Sequence, residues 1–106
     1  MMARGEIWLM NSELSVSRDV KKSHECVVIS PPELHEHLHT VMVAPLMTRG
    51  YAAPFRIAIS YGGKTRLILL DQLRTVDKTQ LHKRLGALPP KTLLASLDVL
   101  REMFTY

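Results

Sequence analysis

The chain has 106 residues, of which 46% are hydrophobic and 23% charged, a composition that excludes a disordered chain and indicates a folded protein. No apolar run reaches the roughly 20 residues of a membrane helix, and the N-terminal "MMARGEIW" lacks the apolar core of a signal peptide. The single cysteine, Cys26, excludes an internal disulfide, and the formal net charge of +4 favours an anionic partner. We therefore expect one cytoplasmic domain over residues 1–106, with no membrane attachment.

The first half of the chain predicts three strands. They are "GEIWLMN" (5–11), "CVVIS" (26–30) and "TVMVAPL" (40–46), each mostly apolar and rich in β-prone residues. A charged loop separates the first two strands. The proline pair at 31–32 predicts the end of the second strand and a short helical turn, in which Leu34 and Leu38 share one face.

The second half predicts a hairpin and a terminal helix. "FRIAIS" (55–60) alternates as a half-buried strand, and a glycine turn leads to the buried strand "RLILLDQLRTV" (66–76). "DKTQLHKRLG" (77–86) predicts a helical turn capped by Asp77. "PPKTLLASLDVLREMF" (89–104) predicts a helix with an apolar stripe of Leu93, Leu94, Leu97, Leu100 and Phe104. About five strands and this helix indicate an α+β, mainly antiparallel domain.

The spacing of the histidines, the cysteine and the serines gives little support for a metal site or a catalytic nucleophile. His35, His37 and His39 alternate, but the preceding Pro-Glu-Leu predicts a helical turn that would separate them, so we interpret them as surface residues. Cys26 begins an apolar strand, where a thiol usually packs, and no glycine-flanked serine elbow is present in the sequence. We therefore expect no metal and no cofactor.

Two polar segments are candidates for a site. Asp71, within "LILLDQL", must be hydrogen-bonded, paired with a cation or placed at a strand end that faces a cleft. A structural carboxylate that holds Arg74 or a loop amide is an equally open interpretation. Thr48 and Arg49 form an ordinary loop or supply the hydroxyl and guanidinium that a phosphodiester would use.

Five segments together resemble the MazF/PemK (Kid) family of toxin endoribonucleases over nearly the whole chain: "RGEIWLMN", "VVISPPEL", "VMVAPLMTRGYAAPFRIAI", "LILLDQLRTVDKTQLHKRLGAL" and "LREMF". The resemblance implies a small, strongly twisted antiparallel β-barrel with short helices and a C-terminal helix, and a homodimer. It also implies metal-independent cleavage of single-stranded messenger RNA at specific short sequences. The implied protein partner is a cognate antitoxin that occupies the RNA groove.

The chain departs from the family wording in two loops. Asp19 keeps a carboxylate where the family has glutamate, but His24 stands at the position of the catalytic arginine and Glu25 at that of the proline after it. Met47 stands at the first of two usual hydroxyl positions, and Thr48 at the second. An imidazole moves protons but clamps phosphate less well than a guanidinium, and a thioether cannot donate a hydrogen bond.

Two functions follow from the resemblance and stay open. In the first, the chain is an active endoribonuclease in which His24 is the acid or base, Thr48 contacts the phosphate, and Asp71 and Asp19 complete the catalytic set. The loops at 17–25 and 48–51 and Asp71 would then line one groove. Basic side chains would bind the RNA backbone, namely Lys21, Lys22, Arg49 and Lys78.

In the second, the chain is a catalytically impaired MazF-fold protein that binds antitoxin or RNA without efficient cleavage. A toxin that poisons DNA gyrase on the same barrel is disfavoured, because the wording matches the RNA-cleaving branch.

Overall fold

The computed structural model describes residues 2–11 and 23–106. Within these residues the chain forms seven strands, which are β1 (Glu6–Asn11), β2 (Ser23–Val28), β3 (Thr40–Met47), β4 (Arg56–Tyr61), β5 (Lys64–Leu69), β6 (Arg74–Asp77) and β7 (Leu81–Ala87). The same part of the chain forms two α-helices, α1 (Pro32–His37) and α2 (Pro90–Met103), and two short 3-10 turns, Leu70–Gln72 and Lys78–Gln80. Neither α-helix in these residues is long and apolar enough to cross a bilayer.

The strands form a curled antiparallel sheet, in effect a half-barrel, with the order β4-β5-β3-β2-β1-β7. The long strand β3 shapes it by changing partners along its length. Residues 40–43 pair with β6, residues 43–45 with β2, and residues 46–47 with β5. The predicted fold class, an α+β and mainly antiparallel barrel-like sheet with short helices and a C-terminal helix, is confirmed.

Apolar side chains cover both faces of the sheet. Successive side chains of a strand point to opposite faces, so Val27 enters the cluster under α2 while Cys26 and Val28 enter the cluster on the other face. All three are fully buried, which explains why the β2 sequence is continuously apolar at this point. Each such side chain contributes about 1.5–3 kcal/mol through removal from water.

The predicted strand over residues 66–76 is wrong in one respect, because the structure divides it. β5 ends at Leu69, and the chain turns through Leu70–Gln72 before β6 begins. Asp71 and Gln72 are exposed in this turn, whereas Leu69 and Leu70 are buried. The chain leaves the sheet where polar side chains would otherwise have to be buried.

The predicted helical turn over residues 77–86 is also mostly wrong. Asp77 does cap a turn, since its carboxylate accepts a hydrogen bond from the Thr79 amide at 2.9 Å and Gln80 completes the capping box. The turn is nevertheless confined to Lys78–Gln80, and the rest of the segment is β7. Antiparallel pairing with β1 outweighs the local helical signal.

Among the histidines, the structure corrects the prediction at one position. His35 is buried, with 2% of its surface exposed, whereas His37 and His39 are exposed as predicted. Its Nε2 lies 2.5 Å from the Ser30 hydroxyl, and its Nδ1 lies 3.3 Å from the Met2 carbonyl oxygen. Both ring nitrogens have partners, which allows an imidazole to be buried.

The predicted terminal helix is confirmed as α2, with part of its apolar stripe corrected. Leu93, Leu97 and Leu100 pack against the core, as the spacing predicts. Leu94 and Phe104 are instead 62% and 76% exposed. The face of α2 that contacts the sheet is therefore narrower than the sequence indicates.

Candidate active site

A groove of about 670 Å³ lies where β1 ends and β2 begins, beside the end of β3. Its apolar lining is made of Leu9, Met10, Pro45, Leu46, Met47 and Leu69. Its polar and charged lining is made of Ser23, His24, Glu25, Thr48, Arg66, Gln72 and Arg74. Ionisable and hydroxyl groups therefore surround an apolar floor.

The register of the sheet brings two departures from the family wording, His24 and Met47, together in this groove. His24 pairs with Met10 of β1, and Cys26 pairs with Pro45 of β3, so the start of β2 lies beside the end of β3. Met47 and Thr48 follow directly at that end. The structure thus places His24 in the same groove as Met47 and Thr48, although 22 residues of sequence separate His24 from Met47.

An ion pair that the sequence patterns did not indicate lies in the same groove. Arg66 Nε donates to Glu25 Oε1 at 2.6 Å, and Arg66 Nη1 donates to the carbonyl oxygen of Tyr61. The guanidinium carbon stands 5.0 Å from the centroid of the Tyr61 ring. Only 11% of the Arg66 side chain is exposed, so its guanidinium is held in one position.

Arg66 was missed for a topological reason. Glu25 is on β2 and Arg66 on β5, and β3 lies between these strands in the sheet. The contact therefore spans two strand spacings and 41 residues of sequence. The available signal was a pair of opposite charges that each come directly before an apolar run, but only the strand order makes them partners.

Asp71 lies outside the groove lining. Arg56 binds its carboxylate through two hydrogen bonds, Nε to Oδ1 at 3.2 Å and Nη2 to Oδ2 at 3.1 Å. These hydrogen bonds hold the pKa of Asp71 below its ordinary value. The carboxylate thus ties the turn at Leu70–Gln72 to β4, with Arg56 rather than Arg74 as the cation. The next residue, Gln72, does line the groove.

The other predicted binding residues are dispersed. Arg49 is exposed in the turn after β3 and is not among the lining residues. Lys78 lines a different pocket of about 460 Å³, beside Trp8 and His35, and its ammonium donates to the His35 carbonyl. That pocket shares no lining residue with the groove. Asp19, Lys21 and Lys22 lie outside the described residues.

The donor geometry of the described residues does not suit a metal ion. Over residues 2–11 and 23–106, no three side chains among His, Cys, Asp and Glu are placed to share a metal ion. Burial raises the pKa of the Cys26 thiol from 9.0 to about 12, so this sulfur stays protonated and is a poor ligand or nucleophile. The groove offers imidazole, hydroxyl, carboxylate and guanidinium chemistry.

The family model for the "PemK-like, MazF-like toxin of type II toxin-antitoxin system" matches residues 3–104. No curated protein sequence matches the chain. The solved endoribonuclease in complex with its cognate antitoxin from a Mycobacterial species is 17% identical, with a TM-score of 0.83 over 100% of this chain and 99% of that chain.

Two further solved structures share the fold. MazE-MazF (Form-II) from Deinococcus radiodurans is 17% identical, with a TM-score of 0.82 over 96% of this chain and 94% of that chain. The toxin MazF-mt6 from Mycobacterium tuberculosis is 16% identical, with a TM-score of 0.76 over 93% of this chain and 95% of that chain. The predicted family resemblance is confirmed.

Proposed function

The chain belongs to the PemK-like, MazF-like toxin family of type II toxin-antitoxin systems, and we propose that it is an active, sequence-specific endoribonuclease. Toxins of this family are endoribonucleases in general. The observation that carries the proposal for this chain is the groove that joins His24, Thr48 and two arginines over an apolar floor. The proposed substrate is single-stranded messenger RNA, and the proposed compartment is the cytoplasm.

The groove suits the chemistry of metal-independent RNA cleavage. The ribose 2′-OH attacks the adjacent phosphorus, the bond from phosphorus to the 5′-oxygen breaks, and a 2′,3′-cyclic phosphate and a 5′-OH remain. A base must take the proton of the 2′-OH, and an acid must protonate the leaving 5′-oxygen. We assign one of these proton transfers to His24 and propose that the Thr48 hydroxyl donates to a phosphate oxygen.

The remaining predicted residues take supporting roles in this proposal. Asp71 fixes the turn that presents Gln72 to the groove, through its paired hydrogen bonds with Arg56. Asp19 completes the catalytic set. Lys21, Lys22, Arg49 and Lys78 attract the RNA backbone in a salt-dependent way.

The groove lining favours a single strand over a duplex. Half-buried Leu46 and exposed Met47 present apolar surface against which unpaired bases can pack, while Arg66 and Arg74 carry permanent positive charge beside it. Bases in a duplex are already stacked and cannot use such a floor.

The proposed partners are a cognate antitoxin and a second copy of the chain, with residues 1–106 acting as one toxin domain. A relative of the same fold is in complex with its cognate antitoxin, and another is a MazE-MazF structure. By this proposal the antitoxin occupies the groove and excludes RNA from it.

A second candidate function rests on Met47. Met47 is 39% exposed and lines the groove. It stands where the family resemblance implies a hydroxyl, and its thioether donates no hydrogen bond. A toxin-fold protein that binds RNA or antitoxin without efficient cleavage is therefore the alternative.

Cleavage of a long single-stranded RNA in EDTA, from about pH 5.5 to 8.5, separates the two functions. The proposal predicts cuts at fixed short sites by the parent and a loss of about 10²- to 10⁴-fold in His24→Ala. His82→Ala is the matched control, because His82 is exposed on β7 and outside the groove lining. Binding without cleavage by the parent supports the second function and contradicts the first.

A further inference from the structure

We propose that Arg66, held in position by Glu25, binds the scissile phosphate in the groove. The inference rests on the proposed ribonuclease activity and assigns that site a phosphate-binding group. It also explains why a carboxylate at position 25 is useful to this chain. Glu25 acts through Arg66 and is a positioning residue.

The guanidinium of Arg66 is fixed from three sides. Glu25 accepts from Nε at 2.6 Å, the Tyr61 carbonyl accepts from Nη1, and the Tyr61 ring lies under the guanidinium carbon at 5.0 Å. Tyr61 is itself anchored, because its hydroxyl donates to the Leu85 carbonyl of β7 at 2.9 Å. A charge held in this way does not have to reorganise when a phosphate arrives.

The same guanidinium keeps donors for a ligand. The hydrogen bonds of Arg66 to described residues use Nε and Nη1. Nη2 makes no hydrogen bond to a described residue and is not fully buried, and Arg66 itself lines the groove. Both N–H groups of Nη2 can therefore donate to phosphate oxygens while the ion pair with Glu25 stays intact.

The other groups of the groove are poorer phosphate ligands. The His24 imidazole has at most two N–H donors, which point in different directions, and the Met47 thioether has none. Arg74 also lines the groove, but it is an exposed residue and makes no ion pair with a described side chain. Two arginines against the single carboxylate of Glu25 leave the described lining with a positive balance. Arg66 is the arginine whose charge is both positioned and permanent.

The binding test uses a fluorescent single-stranded oligonucleotide with 2′-O-methyl riboses, which cannot be cleaved by 2′-OH attack. Anisotropy is measured over a series of salt concentrations. We expect Arg66→Gln to weaken binding and to reduce the slope of log K against log salt by about 0.7, the contribution of one phosphate contact to a single strand. Arg66→Lys keeps the charge and should keep the slope.

The matched control is Arg84→Gln. Arg84 donates to Glu6 at 2.8 Å, an Arg–Glu ion pair like that of Arg66, but neither residue lines the groove. Its loss removes one positive charge from the protein without touching the proposed phosphate site. Circular dichroism and thermal melting confirm that each variant is folded. If Arg66→Gln does not fold, the cleavage rate of Arg66→Lys carries the test.

The cleavage test measures single-turnover rates on the matching RNA. We expect a loss of about 10²- to 10³-fold in Arg66→Gln, with an intermediate loss in Arg66→Lys, because an ammonium cannot reproduce two parallel N–H donors. Glu25→Gln should bind the non-cleavable strand more tightly, since a negative charge leaves the groove, yet cleave more slowly, since the guanidinium loses its anchor. A purely structural role for Glu25 predicts no such opposite change.

The two proposals fail in different ways. If the parent cleaves and Arg66→Gln matches Arg84→Gln in both rate and salt slope, the inference is overturned and the ribonuclease activity stands. If the parent does not cleave but its binding loses a phosphate contact in Arg66→Gln alone, the phosphate site stands and the ribonuclease proposal falls.

Discussion

Cys26 shows how burial alone can make one residue sensitive to alkaline pH. Its thiol has a pKa raised from 9.0 to about 12 because it is buried from water. The unfolded chain therefore loses this proton first as the pH rises, and the stabilisation present below pH 9 is lost between about pH 9 and 12.

We expect the free energy of unfolding of the parent to fall relative to that of Cys26→Ala by about 1.4 kcal/mol per pH unit above pH 9. Urea denaturation at several pH values measures both proteins. Parallel stability curves for the two proteins would show that the thiol titrates normally in the folded state.

A substitution at Met47 should increase activity. Met47→Thr adds a hydroxyl donor to the groove, and because the side chain is 39% exposed the change leaves no buried cavity. We expect RNA cleavage to rise, by up to about 10²-fold if the new hydroxyl contacts the developing oxyanion. Met103→Thr, at an exposed position on α2 outside the groove, is the control and should leave the cleavage rate unchanged.

For single residues, the local sequence predicts burial but not the partners that come from distant segments. Cys26 was predicted as a buried thiol because it begins an apolar strand. Buried His35 was not, because its partners are Ser30, five residues away, and the Met2 carbonyl, 33 residues away. Arg66 was missed for the same reason, since Glu25 is 41 residues distant in sequence.

At the scale of elements, the turn at Leu70–Gln72 explains a carboxylate inside an apolar run. Asp71 leaves the sheet to bind Arg56 of β4, while its neighbour Gln72 reaches the groove. Asp71→Asn should loosen this turn and lower the free energy of unfolding. Loss of the ion pair should lower cleavage less than loss of His24, because Asp71 acts through the turn.

The pH dependence of this element follows from the depressed pKa of Asp71, caused first by the Arg56 hydrogen bond. A depressed folded pKa gives stabilisation that is present above the ordinary carboxyl pKa and is lost as the pH falls through the folded value. Stability curves of parent and Asp71→Asn should therefore converge in acid. A constant difference down to the lowest pH would contradict a role for the charge.

The sequence predicted a helix or strand best where a single local signal specified it. The spacing of leucines predicts α2, and its proline start is observed at Pro90. β7 was missed because the capping box at Asp77 is a genuine helix-start signal, and the strand that follows is specified by pairing with β1. Strand pairing between distant segments leaves no local pattern to read.

At the scale of the whole molecule, the curled sheet explains why one groove can hold chemistry from several segments. β3 changes partners along its length, so its end lies next to both the start of β2 and β5. Charge, length and apolar pattern predict a basic α+β protein, and the family resemblance supplied the barrel. The departures at His24 and Met47 were visible in the sequence, whereas their meeting with Arg66 needed the strand order.

The chemical groups at the cut ends show directly whether the ribose 2′-OH is the nucleophile. Purified protein in EDTA is incubated with a single-stranded RNA, and the products are analysed by mass spectrometry, beside a strand of the same sequence with 2′-deoxy riboses. We expect 2′,3′-cyclic phosphate and 5′-OH ends from the RNA and no cleavage of the deoxy strand. Cleavage of the deoxy strand, or ends with a 5′-phosphate, would contradict 2′-OH attack in this groove.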